Sequence, residues 1–148
     1  MAFLNSFDIS GSGLTASRLR MDVISENIAN SETTRTAQGG PYRRKMVVYQ
    51  CNDTAQTFRS MLESQTAGTE TVPGGVKATA IVEDQTPFNQ VYDPMDPDAN
   101  AQGYVEKPNV DLIKETTDMM AVTRAYSANI TAFDTVKEMA AKALELGK

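Results

Sequence analysis

The chain has 148 residues, 41% of them hydrophobic and 22% charged, and a net charge of −5. This is near the globular norm and excludes a collagen, a polar disordered tail and a membrane span; with a pI of about 4.7 the chain also lacks the basic face that phosphate neutralisation requires. It contains no His and a single Cys, which removes intramolecular disulfides, Cys-cluster zinc sites and most acid–base chemistry.

The first residues, Met1 to Asp8, do not read as a cleavable signal peptide. No basic residue precedes the apolar run, and Asn5 and Asp8 interrupt it. Taken alone, that argues for a cytoplasmic protein, with export by a machine that reads another signal left open. Steps of four and three from Phe3 give Phe3, Phe7, Ser10, Leu14, Ser17, Met21, Ile24 and Ile28, with six apolar residues among the eight. This is the spacing of a coiled-coil seam and predicts a helix. From Phe3 to Ile28 it would span about 39 Å at roughly 1.5 Å per residue. Gly11 and Gly13 each weaken it by about 1 kcal/mol relative to Ala and mark a fray or kink near its start. Asn30-Ser-Glu-Thr-Thr34 favours a turn and ends it.

The middle differs in composition. Residues 51–100 carry two basic and eight acidic groups, against six and four in residues 1–50. Most of the breakers lie here: Gly68, Pro73-Gly74-Gly75, Pro87, Pro94 and Pro97. Short strands are predicted at 44–51, 76–83, 88–92 and 103–105, with residues 66–75 as a mobile connection.

A second, longer helix follows Pro108, capped by Asn109 or Asp111. Its stripe is Leu112, Thr116, Met119, Thr123, Tyr126, Ile130, Phe133, Lys137, Ala140 and Leu144. Lys137 breaks the stripe while Val136 and Met139 sit beside it, as a straight helix drifts off a 3.5-residue repeat. Early Asp111, Glu115 and Asp118 and late Lys137, Lys142 and Lys148 suit the helix dipole, and Gly147 supplies the stop. The expected fold is α+β: long N- and C-terminal helices pairing as a coiled coil, with a small β-rich module between them. Both stripes hold small or polar residues, and Leu4, Leu19, Val23, Ile113, Met120 and Val122 lie off them. Two readings stay open. These residues cover the β module of a compact domain, or they pack on neighbouring copies, whose head-to-tail contacts build a helical polymer when they do not close.

Candidate chemistry is sparse. Asp96, Asp98 and Asn100 begin like a calcium loop, but Ala101 replaces the turn glycine, Lys107 the closing carboxylate, and Pro97 is foreign to it. A solvated, Pro-stiffened loop containing Asp93 as well is the better reading. Gly11-Ser-Gly13 lacks the rest of a phosphate-binding pattern. Arg35, Arg43, Arg44 and Lys45, beside Tyr42, form a solvated strand edge or meet the acidic block from Glu83 to Asp98. Cys51 reads as an inert small hydrophobe. Without His there is no nucleophilic triad, so no catalytic, cofactor or metal residue is assigned.

The segment Ser12-Gly-Leu-Thr-Ala-Ser-Arg-Leu-Arg-Met-Asp-Val-Ile-Ser-Glu-Asn-Ile-Ala-Asn-Ser-Glu-Thr-Thr34 resembles the N-terminal signature of the bacterial flagellar basal-body rod family, with its Asn27-Ile-Ala-Asn30 core and Thr33-Thr34 pair. Arg35-Thr-Ala-Gln-Gly-Gly-Pro-Tyr-Arg-Arg-Lys45 is similar to the proximal-rod branch, as is Tyr104-Val-Glu-Lys-Pro-Asn-Val110 followed by Met119 and Arg124-Ala-Tyr-Ser-Ala-Asn129. The likeness covers about residues 1–50 and 103–148.

The resemblance implies a structural subunit rather than an enzyme, without cofactor. Such a subunit is exported through the flagellar type III apparatus without a cleaved signal peptide. In the periplasmic basal body it polymerises into a tubular, torque-transmitting drive shaft around the export channel. The implied partners are copies of itself, other rod proteins, the MS-ring and export-gate adaptor below, the distal rod above, and the export apparatus; nucleic acid and direct membrane insertion are not implied. Residues 1–32 and 108–148 would be the helices of an inner coiled-coil domain, and 33–107 an extended segment and β-rich outer module. The implied assembly residues are Phe3, Phe7, Leu14, Met21, Ile24, Ile28, Leu112, Met119, Tyr126, Ile130 and Phe133 from the seams, and Asn27, Asn30, Arg124 and Asn129 from the matching motifs. Asn27, Asn30, Thr33 and Thr34 would hold the chain where it leaves the helix. Arg124 would pair with a carboxylate between subunits or stand as a solvated charge. The alternative function is a soluble α+β protein-binding adaptor.

Overall fold

A computed structural model describes residues 2–37, 39–52 and 74–146. Two long helices enclose four short strands in chain order: α1 (Ala2–Ala29), β1 (Lys45–Cys51), β2 (Val76–Glu83), β3 (Asn89–Tyr92), β4 (Tyr104–Lys107) and α2 (Leu112–Leu146). The fold is α+β, with a small antiparallel-strand module between the helices.

α1 runs unbroken through Gly11 and Gly13, so neither glycine interrupts the helix. At Gly13 the missing side chain leaves room for packing: a Cβ there would stand 3.2 Å from the Asn129 amide, which would have to give by a few tenths of an ångström. The helix ends as the Asn30 N–H bonds the Glu26 carbonyl and the Ser31 N–H bonds the Ile28 carbonyl. Asp111 caps α2, its Oδ1 accepting from the N–H groups of Ile113 (2.9 Å) and Lys114 (3.3 Å). Asn109, the other expected cap, is engaged elsewhere. Gly147 and residues 66–73 of the expected connection lie outside the described residues.

β1 pairs with β2, and β3 with β4. The first ladder is bounded by bonds from the Asp84 N–H to the Arg44 carbonyl and from the Asn52 N–H to the Gly75 carbonyl. The second is antiparallel, with Val91 opposite Val105 and Tyr92 opposite Tyr104; the two tyrosine rings meet edge to face at 5.3 Å.

The contacts divide the chain into two compact units. One comprises Met1–Arg18, Tyr49–Thr79 and Arg124–Lys148. Here Phe7 meets Phe133 edge to face at 4.9 Å, and Gly13 lies against Asn129. Another face of α1 meets the strands: Ser12 Oγ accepts from the Val76 N–H, and the Tyr49 hydroxyl donates to the Ala16 carbonyl. Gly75 holds φ at +93° beside Ser12, a conformation open to glycine. The other unit comprises Leu19–Val48 and Ala80–Thr123. Val23, Ile24, Tyr42, Val105, Pro108, Val110 and Val122 are its buried apolar residues, joined by two polar ones, Asn27 and Glu115.

The α1 stripe from Phe7 to Ile28 is buried or half-buried at every position. The α2 stripe needs a correction. Its covered column runs Glu115, Met119, Val122, Tyr126, Asn129, Phe133, Val136 and Ala140, with Asp118 half-buried beside it. Met119, Tyr126, Phe133 and Ala140 were expected; Leu112, Thr116, Thr123, Ile130, Lys137 and Leu144 are exposed. The second column lies one residue earlier than apolar spacing indicated, because Glu115 and Asn129 occupy it. Of the off-seam residues, Val23 and Val122 turn inward, while Ile113 and Met120 remain exposed.

Candidate assembly site

Where α1 ends and the chain enters β1, a polar knot joins segments far apart in sequence. Asn27 is 1% exposed, and its amide is saturated. Its Nδ2 donates to the Lys45 carbonyl (2.9 Å) and to Glu115 Oε2 (3.0 Å). Its Oδ1 accepts from the Lys45 N–H (2.9 Å) and the Tyr42 hydroxyl (3.0 Å). Two donors and two lone pairs exhaust what an asparagine side chain offers.

Glu115 is fully buried. Its second oxygen accepts from Arg44 Nε at 2.7 Å, and the Arg44 guanidinium also lies 3.6 Å from Asp84 and 3.8 Å from Asp118. A buried carboxylate is tolerable only when paired and hydrogen-bonded, and Glu115 is both. The Arg44 N–H donates to Asn109 Oδ1 (2.8 Å), while Asn109 Nδ2 reaches the Asp84 carbonyl and Thr86. Every buried side-chain polar atom among the described residues has a partner. Such satisfied networks rigidify a core.

The environment shifts two groups. Burial, with the nearby carboxylates of Glu26, Glu115 and Glu83, pushes the Tyr42 hydroxyl up to about 12. The Asp84 carboxyl is held below its ordinary value, chiefly by the Thr86 backbone N–H; burial opposes this, and the Thr86 hydroxyl and Arg44 assist.

A second set of ties holds the loop after α1. Asn30 donates to the Glu26 carbonyl and accepts from the Thr33 hydroxyl. The Thr34 hydroxyl donates to Asp98, which also pairs with Arg35. Lys45 pairs with Glu26, and Arg43 lies 4.4 Å over the Phe88 ring while donating to the Asp84 carbonyl. The basic run therefore meets the acidic block, one of the two readings left open for it. Asp93, Asp96 and Asn100 accept from backbone N–H groups two residues on, closing successive Asx turns. No group of three or more His, Cys, Asp or Glu among the described residues could hold a metal ion.

The remaining expected residues are distributed as follows. Phe3 lies in the first turns of α1. Phe7, Leu14, Met21 and Ile28 are half-buried on α1 and Ile24 is buried; Met119, Tyr126, Asn129 and Phe133 are half-buried on α2. Leu112 is 51% exposed and Ile130 39%. Arg124 is exposed and makes no ion pair among the described residues. Glu115, Arg44, Tyr42 and Asn109 were not singled out as site residues from sequence. The available signal was Glu115 itself, a carboxylate four residues before Met119 on a heptad column.

A family model described as "Flagella basal body rod protein" matches residues 7–35, and one described as "Flagellar basal body rod FlgEFG protein C-terminal" matches residues 101–146. The chain is 51% identical to the flagellar basal-body rod protein FlgC of Bacillus subtilis, and 40% identical to that of Salmonella typhimurium, each over the full length of both proteins. It is 38% identical to FlgC of Borreliella burgdorferi over 99% of this chain and 98% of that one.

Proposed function

Because the chain belongs to the flagellar basal-body rod protein family, as a structural subunit of the rod, we propose that it polymerises through its terminal helices into the proximal rod, a tubular drive shaft around the export channel. Its place is the flagellar basal body, and its partners are copies of itself and other rod proteins. The finer features belong to this proposal. The chain works without catalysis and reaches the periplasm through the flagellar export apparatus with no signal peptide removed. It sits between the MS-ring and export-gate adaptor and the distal rod. Residues 1–32 and 108–148 form the inner layer, and 33–107 the outer module.

One observation carries the reading. The flank of α2 beside its covered seam keeps Leu112, Thr116, Thr123 and Ile130 exposed. Burying a fully exposed Leu or Ile side chain contributes about 1.5–3 kcal/mol; with Leu112 51% and Ile130 39% exposed, neighbours that cover this flank gain roughly half of that at each. The last turns of α2 add exposed Met139, Leu144 and Leu146; they fray in the free subunit and order on assembly. Ile130→Asp tests this directly. Amide protection in the knot stays at the parent level, while rods are not recovered from cells carrying the variant. Rod yields equal to the parent's would refute the polymer interface.

A further inference from the structure

The unit that contains the ends of both helices carries exposed charges that make no ion pair among the described residues. Phe7 meets Phe133, and Gly13 lies against Asn129, so the helices run antiparallel there and Arg18 is level with the turn that begins at Arg124. Both arginines are exposed and neither makes an ion pair among the described residues. No carboxylate stands three or four residues from Arg124 on α2. Farther along α2, Asp134, Glu138 and Glu145 are exposed, also without ion pairs among the described residues. Spacings of four and seven put them on one face. Asp134 and Glu138 repel as like charges one turn apart, and Lys142 compensates Glu138 from the next turn.

Resting on the rod reading above, we infer that the Arg18–Arg124 cations of one copy receive the Asp134–Glu138 face of α2 from a second copy of this chain. The two patches are opposite in sign, share one unit and are displaced along α2, so copies that point the same way pair head-to-tail and leave a patch free at each end, whereas antiparallel copies would exchange both contacts in a closed pair. If neighbouring copies point the same way, carboxylates 10 to 14 residues beyond Arg124 set an axial offset of roughly 15–21 Å at 1.5 Å per residue. Exposed pairs of this kind add little affinity; they select register and partner by penalising like-charge encounters.

Charge reversal in the full-length chain tests this, read as rods recovered from cells. R18E/R124E and D134K/E138K each lower recovery about tenfold. All four substitutions in one chain restore it to within about threefold of the parent. A combined variant no better than either pair, or pairs that assemble at the parent level, overturns the inference. Amide protection of Val76, whose N–H binds Ser12 Oγ in the same unit as the substitutions, reports in each variant that the fold there is intact. Ile130→Asp separates the levels: if it blocks assembly while the reversals do not, only this inference fails, whereas normal assembly of all variants also removes the reading beneath it.

Discussion

Replacing Asn27 by alanine strips four buried groups of their partner at once: the Lys45 N–H, the Lys45 carbonyl, the Tyr42 hydroxyl and Glu115 Oε2. A net hydrogen bond contributes about 1 kcal/mol, and an unpaired buried group costs about 1–3 kcal/mol. The vacated amide leaves room for about one water, which recovers two or three of the bonds. The expected loss is therefore about 3–5 kcal/mol, a large share of a typical total of about 5–15 kcal/mol. The reporter is hydrogen exchange at the Arg44 amide, which binds Asn109 rather than Asn27 and so senses the knot without losing its own partner. Exchange should quicken by about a hundredfold or more, since about 1.4 kcal/mol is a factor of ten. Asn27→Asp should be worse, because a second carboxylate would face Glu115 and the donors to Glu115 and Lys45 would vanish. An Arg44 amide within about threefold of the parent in Asn27→Ala would refute the claim that this side chain holds α1, residues 42–45 and α2 together.

Tyr42 gives the pH signature. Its folded hydroxyl is raised to about 12, against about 10 in an unfolded chain; the unfolded state therefore ionises first, and the contribution is complete below pH 10 and lost as pH rises towards 12. Tyr42→Phe should lose about 1 kcal/mol at neutral pH through its bond to Asn27 and regain ground on the parent between pH 10 and 12, as urea midpoints would record. Gly75→Ala forces a side chain into φ +93° against Ser12; it should cost more than about 1 kcal/mol and lower the thermal midpoint by at least about 2–4 °C. An unchanged midpoint would mean that the β2 entry relaxes freely.

The boundaries of α1 and β1 to β4 were legible within about two residues, because alternation and heptad spacing are local signals. The paired column of α2 was half legible. Met119, Tyr126 and Phe133 announced themselves as apolar, but Glu115 and Asn129 were hidden in a count that rewards hydrophobicity. Thr123, expected on the seam, sits at its margin, donating weakly to Met21 Sδ at 3.8 Å. Gly11 and Gly13 suggested weakness because propensity is counted residue by residue, whereas Gly13 is used for the close approach of Asn129. The knot was illegible for a different reason: Asn27 and Glu115 are 88 positions apart, and nothing local to either specifies the other. Asn27 entered only through the family motif, and Glu115 only as a dipole charge.

On the proposed rod reading, the polar knot and the exposed flank would divide the work of a subunit between them. Apolar seams tolerate sliding, since one heptad of oily side chains resembles the next. A slip of α2 by one heptad would bring Val122 to the place of Glu115, and Asn27 would then face a side chain that accepts nothing. Arg44 would lose its 2.7 Å partner in the same step. The penalty falls on wrong registers rather than adding much to the right one, which is the best-attested use of buried polar groups among packed helices. Because all members of the knot lie in one chain, register is decided before any neighbour arrives. On the proposed rod reading, the exposed flank of Leu112, Thr116, Thr123 and Ile130 would then present one arrangement to incoming copies.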